Sequence, residues 1–386
     1  MKLGYVCQYF TKDFRGPVTN LIYSLSEKIE VINYSSLEKH MQYYSNGRHE
    51  ELSESPKKGL NLKRYAVNFK VSGLVFPKNL TKLLESDSPD IVQSEEYYQP
   101  ATHIAFKYSR KKNIPFIINH RGSEDRVRTL RERLFFSLAN PLSKSMVYGC
   151  DAVICLSAAG KKTLLKVYPG IKGKIHVIPN SIDPGMYLRA DGRSFRKKHG
   201  IPSKSPLVLC VGRLHPQKRI DLLVKSFHHV KKELPDSVLC VVGPIFAAEK
   251  KKIDSIINEL GVEDVLFTGS ITNSEVKHAY AAADVCTMSS EFEPFGYSLL
   301  EGMCLKKPYV AFGIGAVPEI IEDGVSGYIV PFPDTKKFSE KIICLLNDSK
   351  LAKSMGLRGF SLAQTKFNLT KNSKKLLSIY ASLVVR

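Results

Sequence analysis

The sequence predicts an α/β fold with two doubly wound domains, each a mostly parallel sheet covered by helices on both faces. Three observations lead to this prediction. The chain has 386 residues, which suits two domains of roughly 100–200 residues better than a single core. Short apolar segments alternate with amphipathic helical segments in two successive series. A stretch rich in Pro, Gly, Asp and Lys, residues 179–205, separates the two series.

Ten short apolar segments are predicted to be strands, because runs of this kind between helices are typical of buried parallel strands. The first series is formed by residues 3–7, 90–93, 115–119, 152–156 and 175–179. The second series is formed by residues 206–212, 237–243, 265–269, 285–288 and 308–312. We therefore predict domains at 1–185 and 186–365. Ligands of open parallel sheets bind at the carboxyl ends of the strands, so we expect a cleft shared by the two domains.

The composition is that of a soluble globular protein, with 43% hydrophobic and 24% charged residues. The eight cysteines include no C-x-x-C pair, so we predict free buried thiols in a reducing compartment. The N-terminus does not resemble a signal peptide, and no apolar run approaches the roughly 18–20 residues that span a bilayer. The predicted localisation is cytoplasmic, either free or peripheral on the cytoplasmic membrane face.

The formal net charge of +20, spread over both halves of the chain, favours anionic partners such as phosphates, acidic lipids or nucleic acid. Residues 57–78 come closest to a nucleic-acid-binding pattern, but no reading module is recognisable, so nucleic acid is not expected as a partner. Residues 126–142 form a predicted amphipathic helix with leucines on one face and arginines on the other. Two alternatives stay open: a core-facing helix with a solvated basic face, or a helix that lies on an anionic membrane.

The segment VGRLHPQKRID, residues 211–221, predicts an anion site between a strand and a helix. Arg213 and Lys218 flank its short turn, and Asp221 is predicted to cap the helix at 221–234. Two cations and a helix N-terminus together attract a diphosphate. Signatures of a P-loop, a dinucleotide fingerprint and an H-E-x-x-H zinc site do not occur, which argues against a kinase, a dehydrogenase and a metallohydrolase.

The segment SSEFEPFGYSLLEGMCL, residues 289–305, places two acids around the start of a predicted helix. Pro294 suits the first helical position. Glu293 would then lie in the preceding loop and Glu301 about two turns along the helix. One acid in a loop and one on a helix can point at the same ligand.

These segments resemble the retaining GT-B glycosyltransferases, specifically glycosyltransferase family 4. The basic turn is similar to the family's G-R-L-x-x-x-K-G-x-D motif, and EPFGYSLLEGM is similar to its Glu-x7-Glu motif. AVPEIIEDGVSGYIV, at 316–330, and VIPNSID, at 177–183, resemble the family's V-P-E segment and the end of its first domain. The resemblance implies two Rossmann-like domains facing a central cleft, with a C-terminal helix, 366–386, packing back toward the N-terminal domain.

The resemblance also implies the roles of single residues. Arg213 and Lys218 match the residues that hold the donor diphosphate and stabilise it as it departs. Glu301 matches the residue that binds the ribose hydroxyls, and Glu293 the one at the transferred sugar. A carboxylate can accept hydrogen bonds from two vicinal hydroxyls, so two acids suit a donor with two diols, the ribose and the hexose.

Four further positions match the donor site. Phe295 and Gly296 would present backbone amides beside the transferred sugar. His120 matches a histidine close to the donor sugar, although a buried core histidine is the alternative. Gly16 matches the loop where donor and acceptor meet. Arg219 departs from the family pattern, which usually has glycine there, and is either a third cation or a solvent-exposed side chain.

The resemblance therefore implies a retaining transfer of a hexose-type sugar from a nucleoside-diphosphate sugar to a glycan, lipid or lipid-linked acceptor. No metal and no other cofactor is expected. Two alternatives stay open: a non-catalytic sugar-nucleotide-binding protein, and a basic nucleic-acid-binding protein. The residues do not identify the donor base, the sugar or the acceptor.

Overall fold

The computed structural model describes residues 1–10, 16–36, 59–71, 73–122 and 129–385. These residues form two compact units. The C-terminal unit is Ile182–Asn368, and the N-terminal unit comprises the described residues up to Ser181 and those from Leu369 onward. The chain thus passes between units at 181–182 and 368–369, where the sequence predicted boundaries at 185–186 and 365–366.

The strands of the described residues are β1 (Lys2–Val6), β2 (Glu30–Ser36), β3 (Leu60–Tyr65), β4 (Val67–Val71), β5 (Leu74–Pro77), β6 (Ile91–Glu95), β7 (Phe116–His120), β8 (Ala152–Cys155), β9 (Ile175–Val177), β10 (Leu207–Val211), β11 (Val238–Val242), β12 (Val265–Gly269), β13 (Val285–Met288), β14 (Tyr309–Phe312) and β15 (Gly327–Val330). The helices are α1 (Pro17–Ser26), α2 (Leu80–Asp87), α3 (Pro100–Lys112), α4 (Leu130–Gly149), α5 (Ala158–Val167), α6 (Gly192–Lys198), α7 (Ile220–Glu233), α8 (Ala247–Leu260), α9 (Asn273–Ala282), α10 (Tyr297–Cys304), α11 (Val317–Ile320), α12 (Thr335–Asn347), α13 (Ser349–Thr365) and α14 (Leu369–Val384).

The N-terminal unit is built on a seven-stranded parallel sheet with the order β3-β2-β1-β6-β7-β8-β9, and β4 and β5 form a separate antiparallel pair. Successive side chains of a strand point to opposite faces of a sheet. In β6, Ile91 accordingly packs in a cluster with residues of α1 and α14, and Val92 packs in another with residues of α2 and α3. Because both faces are covered, both sets of side chains are apolar and buried.

Helix α14 completes one face of this sheet. It packs on α1, and its Ser373 hydroxyl lies 2.7 Å from the hydroxyl of Ser24. The Tyr380 hydroxyl donates to Oε1 of Gln93 in β6 at 2.5 Å, and both side chains are buried. The segment at 369–384 is thus part of the core of the N-terminal unit.

The C-terminal unit is built on a six-stranded parallel sheet with the order β12-β11-β10-β13-β14-β15. This is the strand order of the Rossmann fold, in which the winding direction reverses beside the first strand. The reversal lies between β10 and β13, which pair directly. One apolar cluster of this unit includes Val208, Phe227 and Phe312, and other apolar side chains, such as Leu209 and Leu299, are buried outside it.

All eight cysteines are free thiols, and all except Cys344 are buried. Burial raises the pKa of the Cys210 thiol to about 11 and that of the Cys240 thiol to about 12. These thiols are therefore protonated at neutral pH and act as small apolar side chains. Of the helices that the structure describes, none combines the length and the apolar character that crossing a membrane requires.

Candidate active site

Two loops of the C-terminal unit begin at neighbouring strand ends, at the reversal of strand order. One follows β10 and the other follows β13, and ligands of doubly wound sheets bind at such a point. Gln217 joins the loops. Its side-chain amide donates to the carbonyl of Phe292 at 2.9 Å, and its own carbonyl accepts from the N–H of Glu291 at 3.1 Å. The two motifs singled out in the sequence are thereby held together.

The loop after β10 is fixed by the loop after β11. The N–H of Gly212 donates to the carbonyl of Val242 at 2.8 Å, and the N–H of Leu214 donates to that of Pro244 at 2.8 Å. Gly243 has a φ of +146°, and a Cβ on it would lie 2.1 Å from the Gly212 carbonyl oxygen. Only glycine permits this approach of the two backbones. The basic turn therefore has a rigid base.

Lys218 and Arg213, the two predicted phosphate ligands, lie on this loop. Lys218 Nζ donates to Oε2 of Glu293 at 2.7 Å, and these side chains are only 18% and 12% exposed. A lysine ammonium has three donors, so two remain for a ligand. Arg213 is partly buried, and its guanidinium forms no hydrogen bond or ion pair with any residue that the structure describes. Both cations are available to an anion.

Arg219 and Asp221 differ from the predictions made for them. Arg219 occupies the N-cap position of α7 with a φ of +47°, and Asp221 lies within the first turn, so the prediction that Asp221 caps the helix is wrong. The Arg219 guanidinium binds Asp221 through two hydrogen bonds of 2.9 and 2.8 Å and contacts Oε2 of Glu291 at 3.3 Å. Because its guanidinium pairs with two carboxylates, Arg219 stabilises the turn.

Glu293 lies at the centre of the loop after β13. Its Oε1 accepts from the N–H of Gly296 at 3.1 Å, and its Oε2 lies 3.5 Å from the Ser290 hydroxyl in addition to the Lys218 contact. Its carbonyl accepts from the N–H of Ala316 at 3.2 Å. A Cβ at Gly315, whose φ is +52°, would lie 2.1 Å from the same carbonyl oxygen. Gly315 thus allows the backbone of the segment after β14 to approach the Glu293 carbonyl and hydrogen-bond it.

Gly296 and Phe295 shape the entry to α10. Gly296 is the N-cap residue with a φ of +88°, and the helix begins at Tyr297. Pro294 therefore precedes the helix, and the prediction that it occupies the first helical position is wrong. The buried ring of Phe295 meets that of Phe367 edge to face, at 6.0 Å between centroids. The left-handed conformation of Gly296 turns the chain between Glu293 in the loop and Glu301 on the helix, so one short segment carries both acids.

Glu301 lies in the second turn of α10, one turn nearer the helix start than predicted, because the helix begins after Pro294. Two tyrosines hold its carboxylate: Tyr187 donates to Oε1 at 3.1 Å and Tyr280 to Oε2 at 3.0 Å. Burial raises the pKa of the carboxyl to about 7, although the two hydrogen bonds act to lower it. The sequence analysis missed Tyr187 and Tyr280, because both lie far from Glu301 along the chain.

His120 is the final residue of β7 in the N-terminal unit, and it is buried. Its Nδ1 lies 3.4 Å from Oε2 of Glu96, a buried residue with a φ of +56°. The other carboxylate oxygen of Glu96 accepts from the N–H of Arg121 at 3.2 Å, and Arg121 also pairs with Glu95 at 3.0 Å. Glu96 is a further residue that the sequence analysis missed.

Gly16 precedes α1 as its N-cap residue, with an extended φ of −95°. The other predicted loop residues on its N-terminal side, 11–15, lie outside the described residues. Pro17, which follows Gly16, and Asn119 and Arg121, which flank His120, line one small cavity of about 20 Å³. The neighbourhoods of Gly16 and His120 therefore meet within the N-terminal unit. In the described part of the chain, no group of three or more His, Cys, Asp or Glu side chains could hold a metal ion.

Two family models match the sequence. The model described as "Glycosyl transferases group 1" matches residues 191–361, and the one described as "Glycosyltransferase Family 4" matches residues 47–185. Between them they match parts of both units of the structure.

The similar curated proteins are synthases and transferases. N-acetyl-alpha-D-glucosaminyl L-malate synthase of Bacillus anthracis is 30% identical over 211 residues, covering 54% of this chain and 53% of that protein. Alpha-maltose-1-phosphate synthase of Mycolicibacterium smegmatis is 24% identical over 323 residues, covering 78% of this chain and 81% of that protein. The chain therefore aligns with about half the length of the first of these relatives.

The similar solved structures cover nearly all of the chain. Alr3699/HepE of Anabaena, solved in complex with UDP, has a TM-score of 0.80 at 19% identity, covering 99% of this chain and 100% of that one. Sucrose-phosphate synthase from Thermosynechococcus elongatus has a TM-score of 0.79 at 18% identity, covering 100% and 99%. At these identities the likeness shows the fold.

Proposed function

The chain belongs to glycosyltransferase family 4 and has the GT-B fold, and we propose that it is a retaining enzyme that uses a nucleoside-diphosphate sugar. It would transfer a hexose-type sugar to a glycan, lipid or lipid-linked acceptor without a metal ion. The observation that carries this proposal is the meeting of Lys218 with Glu293 at the strand-order reversal of the C-terminal unit, with Arg213 on the same loop.

In the proposed reaction, Arg213 and Lys218 bind the donor diphosphate and stabilise the charge that grows on it. The bond from the anomeric carbon to the diphosphate oxygen breaks with its electron pair moving to that oxygen. The acceptor oxygen bonds to the same face of the oxocarbenium-like carbon and passes its proton to the departing phosphate. A preorganised donor that meets developing charge typically lowers a barrier by about 2.7–4 kcal/mol. These cations supply the stabilisation for which other enzymes use a metal ion.

Glu293 and Glu301 would each bind one diol of the donor. Glu293 is oriented by Gly296 and Lys218, which leaves oxygen lone pairs for hydroxyls of the hexose. Glu301 is oriented by Tyr187 and Tyr280, and the remaining lone pairs of its two oxygens would accept from the ribose hydroxyls. The different partners suit different tasks. Glu293 is paired with Lys218, the cation proposed to bind the diphosphate, whereas Glu301 accepts from the neutral hydroxyls of two tyrosines.

In the N-terminal unit we propose the roles that the resemblance implies, with His120 at the donor sugar and Gly16 in the loop where donor and acceptor meet. The Glu96 contact supports the proposal for His120, because a carboxylate 3.4 Å from Nδ1 can orient the ring. Replacement of His120 by Ala is expected to lower the transfer rate while nucleoside diphosphate still binds. Equal losses of binding and transfer would instead indicate a core role.

The first experiment is a thermal-shift panel with UDP, GDP, ADP, CMP and TDP. A ligand at 100 times its Kd should stabilise the fold by about 2.7 kcal/mol. Lys218→Met keeps the apolar stem that packs over Gly212 but removes the ammonium, and exposed Lys225 on α7 offers a matched control, Lys225→Met. Each protein is compared with its own ligand-free melting temperature. We expect one nucleotide to raise the melting temperature of the wild type and of the Lys225→Met control, but not that of Lys218→Met.

The second experiment tests catalysis and separates the alternatives. With the donor identified, release of nucleoside diphosphate on adding acceptor extracts, in the presence of a chelator, is expected for a metal-independent transferase. NMR of the product should show the anomeric configuration of the donor retained. Nucleotide binding without any release would favour a non-catalytic binding protein. Binding of nucleic acid with no response to any nucleotide would favour the basic nucleic-acid-binding protein.

A further inference from the structure

The sheet of the N-terminal unit has a strand-order reversal of its own. In the order β3-β2-β1-β6-β7-β8-β9, the winding direction reverses between β1 and β6. These two strands pair directly, and Val6 near the end of β1 lies beside Ser94 near the end of β6. Ligands of open α/β sheets bind outside the carboxyl ends of the strands at such a reversal. The residues at the carboxyl ends of β1, β6 and β7 are therefore candidates for a second binding site.

Glu95 and Arg121 form an ion pair at these carboxyl ends. Glu95 is the final residue of β6, and Arg121 directly follows β7, the neighbouring strand. Oε1 of Glu95 accepts from Nη1 of Arg121 at 3.0 Å and from the hydroxyl of Tyr5, a residue of β1, at 2.8 Å. The same hydroxyl accepts from Nδ2 of Asn119 at 3.3 Å. Strands on both sides of the reversal thus hold the pair in place.

The ion pair keeps hydrogen-bonding capacity for a ligand. Both contacts of the Glu95 carboxylate are made by Oε1, and Oε2 has no hydrogen-bond partner among the described residues. A guanidinium has five N–H donors, and within the described part of the chain Arg121 uses one of them, at Glu95. The side chains of Glu95 and Arg121 are 13% and 27% exposed, so a ligand can reach them.

Arg121 also lines the small cavity of about 20 Å³, together with Gln93 of β6. Gln93 is fully buried, and its Nε2 has no hydrogen-bond partner in the part of the chain that the structure describes. A cavity of this size has room for one water molecule or one hydroxyl group. Since an unpaired buried donor is costly, the cavity is suited to receive an oxygen atom that accepts from Gln93.

The charges at this edge of the sheet indicate the chemical class of the ligand. Glu95 and the adjacent Glu96 carry two negative charges beside the one positive charge of Arg121. Protonation of His120, which lies 3.4 Å from Glu96, would only balance them. A phosphate or carboxylate would therefore meet no excess of positive charge, and an acyl chain would leave the polar groups unpaired. Sugar hydroxyls both donate and accept, which matches a carboxylate oxygen beside guanidinium N–H groups.

We propose that Glu95 and Arg121 bind the hydroxyl groups of a neutral sugar residue of the acceptor. Oε2 of Glu95 accepts from one hydroxyl, and the remaining guanidinium N–H groups of Arg121 donate to a neighbouring one. The proposal rests on the proposed transferase function and narrows its acceptor to a glycan or the glycan part of a lipid-linked acceptor.

The test measures release of nucleoside diphosphate at saturating donor against rising concentrations of the acceptor extract. The half-saturating concentration of extract then reports acceptor binding. Glu95→Gln and Arg121→Lys keep the approximate size of each side chain and remove part of its hydrogen bonding. Each should raise the half-saturating concentration by about 10- to 100-fold, the range of one hydrogen bond to a charged group. The affinity for nucleoside diphosphate, measured by thermal shift, should stay unchanged.

Arg110 offers a matched control in the same unit. Its Nη2 pairs with Oδ2 of Asp151 at 2.5 Å, and Asp151 precedes β8 at the opposite edge of the sheet. Arg110→Lys should keep the half-saturating concentration of the wild type. Glu95→Gln also separates the two classes of acceptor, because an anionic acceptor would be repelled by Glu95 and should bind more tightly once that charge is removed.

Three results would overturn the proposal. The first is an unchanged or lower half-saturating concentration for Glu95→Gln. The second is the same increase in Arg110→Lys as in Arg121→Lys, which would make the effect unspecific. The third is a joint fall of melting temperature, maximal rate and nucleotide affinity with an unchanged half-saturating concentration, which would assign the pair a structural role. A wild type that binds no nucleotide and releases none would instead refute the transferase function itself.

Discussion

The pairing of Lys218 with Glu293 predicts a large energetic coupling that a double-mutant cycle can measure. The charged atoms lie 2.7 Å apart with both side chains mostly buried, and at an effective dielectric constant near 20 their gross attraction is about 6 kcal/mol. Desolvation cancels part of this attraction. Removing one partner of a fully buried pair costs about 3–5 kcal/mol, so for this pair we expect about 3 kcal/mol from Lys218→Met. Glu293→Gln should cost about 1 kcal/mol, since its amide oxygen still accepts from the lysine.

The double variant should be little less stable than Glu293→Gln alone, which gives a coupling of about 2–3 kcal/mol. The chain contains no tryptophan, so urea unfolding is best followed by circular dichroism. Lys231 and Asp264 provide a control cycle: their charged atoms are 2.6 Å apart, but the aspartate is 53% exposed. Its coupling should stay below about 1 kcal/mol. If the losses for Lys218→Met and Glu293→Gln simply add, the two side chains are not a coupled unit and our account of the loop is wrong.

Three further predictions follow from other contacts. The pKa of Glu301 is raised from 4.5 in the unfolded chain to about 7 in the folded protein, so between these pH values the folded state binds a proton that the unfolded state lacks. Stability should therefore fall as the pH rises across this window, by about 3 kcal/mol in total. Glu301→Gln should abolish that pH dependence in urea titrations. Gly302→Ala would place a Cβ 2.4 Å from the hydroxyl of Tyr309, and the overpacking should cost about 1–3 kcal/mol of stability in the same assay. Glu96→Gln should lower the transfer rate by about tenfold with nucleotide affinity unchanged, because it weakens the contact that orients His120.

Controls exist for each of these variants. Glu340→Gln removes an exposed acid and should keep the pH dependence of the wild type. Gly173→Ala adds a methyl group where no atom lies within 4 Å and should be nearly neutral. Glu27→Gln alters an exposed acid of the N-terminal unit and should leave transfer unchanged. A stability difference between the wild type and Glu301→Gln that stays constant with pH, a fully stable Gly302→Ala, or a fully active Glu96→Gln would each contradict the corresponding argument.

The sequence predicted strands where apolar residues are consecutive. All ten predicted segments contain a strand, with ends shifted by up to two residues. It missed β2, in which Asn33, Ser35 and Ser36 are buried among apolar neighbours, because buried polar residues interrupt the hydrophobic pattern. It also missed the edge strands β3 and β15 and the antiparallel pair β4 and β5, although it predicted the edge strands β9 and β12. Runs of consecutive apolar residues therefore located strands at the centre and at the edge of both sheets, whereas a strand such as β2, with its buried polar residues, was missed.

The candidate site shows the same division. Arg213, Lys218, Glu293 and Glu301 were located because motif spacing is a property of the chain. The start of α10 was misplaced, because the left-handed conformation of Gly296 moves it past Pro294, and spacing alone does not report a backbone angle. Partners that come from distant segments, such as the tyrosines at Glu301 and the glutamate at His120, become visible only in the folded chain.

The position of α14 has a consequence for synthesis. Unit boundaries at Ser181 and Leu369 mean that the sheet of the N-terminal unit lacks one of its covering helices, α14, until the whole C-terminal unit has been made. At about 5–20 residues per second, a ribosome needs roughly 10–40 s for that interval. During this time the part of the face that will receive Leu376 and Tyr380 is uncovered, while the C-terminal unit, a contiguous segment, is free to fold. Loss of the segment from Leu369 onward should therefore leave a nascent chain that chaperones retain, even though every proposed donor-binding residue is present.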